Sequence, residues 1–360
     1  MMPKHSERCQ DCKNNIKNLL QAIACIVCAF SMFLTGSVDA ASDGDTIVVQ
    51  EVPSAPSASN LFQRLGSQPG NVARAMLFGS EKKRQEPLVA LLREHSDFNR
   101  NDASDIEFTY DYDHPKLTEL KDKYDLENVA GAGDTQSKVL NLLNWLGNGT
   151  HHNGMSSPAE NNALALLEYS YNQGVRKGIN CRSLSITLSE MYLSVGIQAR
   201  ALWLFPHNPK DMDNHVVVMA YIPEKEKWIM VDPSWNVYFL DEEGEILSPL
   251  EVRERMVSGG TLRTNRDAKN EEMGYITYMA KDMFFFLSVK DTYYGGFDED
   301  RTVVYLCPQG FDPTEWQVEN MYFRSSLFAR QTKKDELAEK ENAIRRQQHV
   351  FATPESFWRK

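Results

Sequence analysis

The run Asn214-His215-Val216-Val217-Val218-Met219-Ala220-Tyr221-Ile222 constrains the fold more than any other part of the sequence. It is apolar at consecutive positions, so as a strand it presents water-avoiding side chains on both faces. Such a strand needs a packed layer on each side. The polar connector Pro223–Lys227 and the β-rich run Trp228–Asp232 follow it, and the pair predicts an antiparallel hairpin. Just before, Ile197–Leu204 predicts a further strand. A sheet therefore lies at the centre of this chain, and helices must cover it.

The helices are legible from their apolar spacing. Val139, Leu142, Leu143 and Leu146 form one stripe behind Asp134, a suitable N-cap. Ser157-Pro158-Ala159-Glu160 has the pattern of a capping box and predicts the start of a helix carrying Leu164, Leu167 and Tyr171. Asn180 is a preferred N-cap residue, which makes Cys181 the first residue of a helix. Leu184, Leu188, Met191, Tyr192 and Val195 then lie on its buried face, and Gly196 closes it. Nearer the N-terminus, Leu88, Leu91 and Leu92 fit a helical face, while Ile106, Phe108 and Tyr110 alternate as in a strand. Beyond Pro249, Thr302–Cys307 predicts a strand and Asp335–Val350 a charged helix. The class is α+β.

Of the 360 residues 42% are apolar and 25% charged, proportions that exclude wholesale disorder and fibrous repeats. Lys4, Arg8, Lys13 and Lys17 precede an apolar run from Leu19 to Leu34, and Ser37-Val38-Asp39-Ala40 supplies small residues for a cut after Ala40. That pattern predicts a signal peptide over residues 1–40 and an exported protein, secreted, periplasmic or at the cell surface. The run is long enough to leave an uncleaved membrane anchor open. Cys9, Cys12, Cys25 and Cys28 have zinc-ribbon spacing, but the second pair is embedded in apolar sequence with no room for a loop around a metal. Residues 41–86, with Pro53 and Pro56 among small residues, predict a flexible tether with one short helix near Asn71–Leu77. The main domain is expected over 87–300, with a C-terminal extension over 301–360. A net charge of −11 argues against nucleic acid, and against any membrane partner beyond that N-terminal anchor.

Chemistry concentrates at Cys181. A helix N-terminus stabilises a thiolate, and its free N–H groups suit an oxyanion. A cysteine nucleophile also needs a base and a group to orient that base. Downstream, His215 opens one strand of the predicted hairpin and Asp232 ends the other. If Ile222 pairs with Lys227, Val217 lies opposite Asp232 and His215 is a diagonal step away. If Ile222 pairs with Trp228, Asp232 faces the wrong side. The sequence leaves that register open, and it leaves open a Cys181–Cys307 disulfide. His207, Asp211, Asp213 and His215 show no metal-ligand spacing, so neither a metal nor a cofactor is expected. His151 and His152 are assigned to a solvated loop, Trp203, Trp228 and Trp235 to the core, and Arg200 to a partnership with a buried carboxylate.

Gly178-Ile179-Asn180-Cys181-Arg182, Gly196-Ile197-Gln198-Ala199-Arg200, Asn214-His215 and Trp228 to Ser234 together resemble the transglutaminase-like superfamily. The resemblance runs from about Gln136 to Glu254. It implies a papain-like fold with a Cys-His-Asp triad: Cys181 as nucleophile on a helix packed against an antiparallel sheet, His215 as base and Asp232 as its orienter. Two departures stand out. The family commonly has glycine two residues before the cysteine, where this chain has it three before, and an aromatic often follows the histidine, where this chain has valines. Gln173 is the candidate side-chain oxyanion donor. The implied activity is acyl transfer through a thioester at Cys181, on a protein, peptide or peptidoglycan-like amide. Hydrolysis is favoured, with an amine-accepting crosslinker and a non-catalytic extracellular binding module as alternatives.

Overall fold

The computed structural model describes residues 81–359 apart from 102, 157, 159, 212, 267–268, 297–300, 329–333 and 347–348. The expected signal peptide, its cysteine pairs and the helix near Asn71–Leu77 lie outside the described residues. In chain order the first elements are α1 (Glu81–Glu94), β1 (Thr109–Tyr110), α2 (Pro115–Lys123), α3 (Leu126–Ala130), α4 (Thr135–Gly149) and α5 (Ala163–Ser170). The central block is α6 (Cys181–Ser194), β2 (Ala199–Phe205), β3 (His215–Ile222), β4 (Lys227–Asp232) and β5 (Val237–Leu240). Then come α7 (Pro249–Ser258), β6 (Arg263–Thr264), α8 (Lys269–Asp282), β7 (Phe285–Val289), β8 (Asp291–Thr292) and β9 (Val303–Leu306). The last elements are α9 (Pro313–Phe328), α10 (Lys334–Arg346), β10 (Val350–Phe351) and α11 (Pro354–Phe357). The first residues of α1 were expected to be the end of the tether.

The architecture is α+β, of papain-like type. Eight strands form one sheet in the order β10-β9-β7-β2-β3-β4-β5-β6, antiparallel except where β10 joins β9. Every residue of β3 is buried. Val217, Met219 and Tyr221 face a core built with Leu92 of α1, Val252 and Met256 of α7 and Met279 of α8. Val218, Ala220 and Ile222 face a second core containing Leu117, Leu142, Leu146, Leu188 and Met191. The two-sided apolar run therefore does what its sequence requires, dividing the helices into two layers.

The hairpin adopts the first of the two registers. Ile222 pairs with Lys227 and Val218 with Val231, which continues to Val217 opposite Asp232. The turn is a single 3-10 turn, Pro223–Lys225, closed by Glu226 in the left-handed region at φ 49°. Helix α6 forms as expected. Asn180 Oδ1 accepts from Ser183 N at 2.9 Å. At its end Gly196 takes φ +77°, and Ile197 N donates to Tyr192 O at 2.9 Å, a Schellman closure. Ser185 Oγ donates to Val216 O at 2.9 Å, docking the first turn of α6 on the start of β3.

Three expectations need correction. The helix of Leu164 and Leu167 is not opened by Ser157. Its N-cap is Asn162, whose side chain accepts from Ala165 N, because the N–H of Ala163 is already taken by the buried Glu190 of α6 at 2.6 Å. Of the alternating run Ile106–Tyr110, only Thr109–Tyr110 pairs as a strand, with β8. Arg200 has no carboxylate partner among the described residues; it is fully buried in an aromatic box. Its guanidinium carbon lies 3.6 Å from the Phe108 ring centroid, 5.0 Å from Trp228 and 5.6 Å from Phe357. It donates to Tyr110 Oη at 2.9 Å and to the Phe357 carbonyl. Segment 301–360 thus supplies two strands of the sheet and one wall of this box.

The box generates a stability prediction. Arg200→Ala leaves a cavity and a carbonyl without its donor, and should lower the unfolding free energy by about 3 kcal/mol. Urea denaturation would show this as a reduced midpoint at unchanged slope. A loss under about 0.5 kcal/mol, typical of surface positions, would mean the box does not hold the C-terminal segment.

Candidate active site

The N-terminus of α6, the first residue of β3 and the last of β4 converge. Cys181 sits at the first helical position and is partly accessible. The Asn180 cap fixes this end of the helix, so the thiol stands in the positive field of the helix N-terminus. Burial alone would push the thiol up. The imidazoles of His152 and His215 beside it outweigh that and bring the thiol down to about 6. At that value the thiolate dominates at neutral pH.

His215 and Asp232 point to the same side of the sheet because of the register described above, and each is 1% exposed. His215 Nε2 lies 2.7 Å from Asp232 Oδ2, leaving Nδ1 as the nitrogen available to the thiol. Burial lowers the imidazole pKa, but the Asp232 charge and hydrogen bond raise it further, to well above the ordinary value. Burial likewise raises Asp232, and the His215 charge with three hydrogen bonds holds it below the usual carboxylate range. Those bonds come from His215, from Tyr275 Oη at 2.8 Å and from Ser234 N, which reaches Oδ1 at 2.8 Å. The last is an Asx-type turn that the Pro233 ring favours. Helix α8 roofs the pair: Tyr278, one turn after Tyr275, packs edge-on against the His215 ring at 5.3 Å between centroids. A thiolate, an imidazolium and a carboxylate thus stand in series on three elements, an arrangement suited to nucleophilic attack with proton return.

His152 is the residue the sequence reading missed. It lies not in a solvated loop but against Ile179, in a parallel bridge closed by Ile179 N to His151 O and Asn153 N to Ile179 O, both 2.9 Å. Gly178 makes this approach possible, since a Cβ there would meet His151 O at 2.8 Å. The glycine displaced by one position relative to the family pattern has its reason in that contact. No periodicity could have signalled it, because the bridge joins segments far apart in sequence. Tyr275 and Tyr278 were also missed, in a region of weak patterning.

Gln173 is not brought to the thiol. It is exposed on the turn after α5, with its N–H on Ser170 O at 3.1 Å. Cys181 and Cys307 are both free, and Cys307 is buried, which pushes its thiol up. His207 stacks with His95 and meets Phe284 edge-on, while Asp211 and Asp213 pair with Lys281, so these side chains do not gather around His215. Trp228 belongs to the Arg200 box, whereas Trp235 stands 5.7 Å from the His152 ring.

Comparison with known proteins agrees with this geometry. The model of the transglutaminase-like superfamily matches residues 123–233, which supports a cysteine-dependent enzyme at the level of the superfamily. A solved structure of a candidate cysteine protease from Cytophaga hutchinsonii is similar at 16% identity, over 41% of this chain and 49% of that one, with a TM-score of 0.27. The alignment thus spans about half of that protein's length. No curated protein matches the chain.

Gly178→Ala tests the construction of the site. Its Cβ must displace backbone, so stability should fall by about 1–3 kcal/mol, as in overpacked cores. Hydrogen exchange at the Asn153 and Ile179 amides should accelerate. Unchanged protection at both amides would show that the loop is held elsewhere.

Proposed function

We propose, with residues 123–233 belonging to the transglutaminase-like superfamily, that this chain is a cysteine-dependent acyl-transfer enzyme that hydrolyses amide bonds through a thioester at Cys181. The buried His215–Asp232 hydrogen bond beside a thiol brought down to about 6 is the observation that carries the reading. The thiolate attacks the amide carbon: the S–C bond forms and the carbonyl π pair moves to oxygen. When that oxyanion collapses, the C–N bond breaks and His215 gives its proton to the departing amine. In the second half His215 takes a proton from water as the water oxygen attacks the thioester. The acid product leaves, and the thiolate–imidazolium pair is restored. Asp232 keeps the imidazole in the tautomer and orientation both halves need. Water is the preferred acceptor, since it requires no second binding site as an amine would. The substrate class is a protein, peptide or peptidoglycan-like amide, and the signal-like pattern of residues 1–40 supports a reaction outside the cytoplasm.

The test is the pH dependence of iodoacetamide labelling at Cys181 in the full chain, resolved by peptide mass spectrometry. The Cys181 pKa is depressed, so the thiolate should persist as pH falls and protonate only near pH 6. Below that value labelling should slow about tenfold per pH unit. His215→Ala should return the midpoint toward about 8.5, that of an ordinary thiol. Cys181→Ala should abolish amine release from any amide the wild type cleaves. An ordinary thiol profile indifferent to His215 would sink the enzyme and leave a binding module on the same fold.

A further inference from the structure

We propose that His152 is a second imidazole donor at the nucleophile, one whose buried ring nitrogens stand unpartnered beside Cys181 in the free enzyme and donate to the acyl oxygen during attack. This rests on the cysteine chemistry proposed above and adds a component that the Cys181, His215 and Asp232 set does not supply. The placement is built, not incidental. His151 O and Asn153 N clamp Ile179 from one strand-like segment, and Asn180 N donates to Ser156 O at 3.0 Å. The loop 151–156 is therefore stitched to the residues immediately preceding Cys181, at the one point where a glycine admits it. Trp235 backs the His152 ring with an interplanar angle of 45°.

The two histidines differ in what stands behind them. His215 has Asp232 at 2.7 Å and so is the imidazole that carries the proton. Both ring nitrogens of His152 are buried without a hydrogen-bond partner among the described residues, and the electrostatics of the Cys181 thiol put this imidazole within reach of it. A buried ring nitrogen with no partner is a donor held ready for charge that develops beside it. As the S–C bond forms, charge leaves sulfur for the carbonyl oxygen, and the His152 N–H takes that oxygen as its acceptor. No proton is transferred from His152, so the balance of the reaction is unchanged. The other groups that bear on the thiolate are His215 from β3 and the hydroxyl of Tyr278 from α8.

The experiment compares His152→Phe, His152→Leu and His152→Gln with His215→Ala in the full chain. Phe and Leu remove the donor, whereas Gln restores an N–H. Two readouts are taken: Cys181-resolved iodoacetamide labelling against pH, and the burst of p-nitrophenolate from p-nitrophenyl acetate, corrected for thiolate fraction and for Cys181→Ala background. Labelling at pH 6.5 should fall about tenfold in the Phe and Leu variants. The corrected burst should fall about 100-fold, as for loss of an oxyanion donor, and Gln should recover most of it. If Phe and Leu match the wild type while His215→Ala slows both readouts, His152 is only a wall and this inference fails with the enzyme intact. If Gln is no better than Phe, the role is packing and the inference also fails. If neither histidine matters and the thiol is ordinary, the proposed function itself fails. Should Phe and Leu not fold, by thermal melting, Gln decides alone: a burst within tenfold of wild type supports the donor role, and a deeper loss overturns it.

Discussion

Burying a histidine and a carboxylate together removes both from water, at several kilocalories per mole for each charge unless every lone pair and proton finds a partner. The site meets that demand with three hydrogen bonds to the carboxylate. Asp232 receives His215 and Tyr275 on one oxygen and Ser234 N–H on the other, and the His215 ring packs against Tyr278. These groups come from β3, the Asp-Pro-Ser turn and helix α8, so the sheet register, that turn and the helix must all be in place before the pair is tolerable. The docking of α6 through Ser185 on the Val216 carbonyl then sets the thiol beside a base already prepared.

The remainder of the molecule holds those pieces rigid. Arg200 and Arg253 are both buried with no carboxylate in ion-pair contact among the described residues, and each is used as a cross-link through backbone carbonyls. Arg253 reaches the carbonyls of Met283, Ser96 and His95, joining α7 to the segments after α8 and α1. Arg200 joins β2 to the C-terminal Phe357. A guanidinium suits such sites because its planar fork satisfies several acceptors while its faces stack on aromatic rings. The result ties residues near both ends of the described chain to the sheet that carries His215.

Two imidazoles beside one thiol divide labour in a way a single one cannot. A base that must also accept charge needs a counter-ion, and that counter-ion fixes it to proton transfer. A donor for the acyl oxygen needs only an available N–H, and His152 has buried ring nitrogens with no partner among the described residues. The glycine at 178 is the small structural device on which this division depends, because any side chain there would push the His152 segment away.

Much of this was legible in the sequence. Consecutive apolar residues in β3 demanded two layers of helices; Asn180 and Gly196 bracketed α6; Cys181, His215 and Asp232 stood at the ends of readable elements. These are local properties, dictated by side-chain periodicity and by the chemistry of helix ends. What only the tertiary structure decided was contact across long stretches of chain: the hairpin register that turns Asp232 toward His215, the aromatic box around Arg200, and the bridge that carries His152 to the thiol. Gln173 was the natural choice by nearness in sequence, and it lost to a residue farther away because hydrogen bonding between segments, not chain proximity, determines which side chain reaches a buried sulfur.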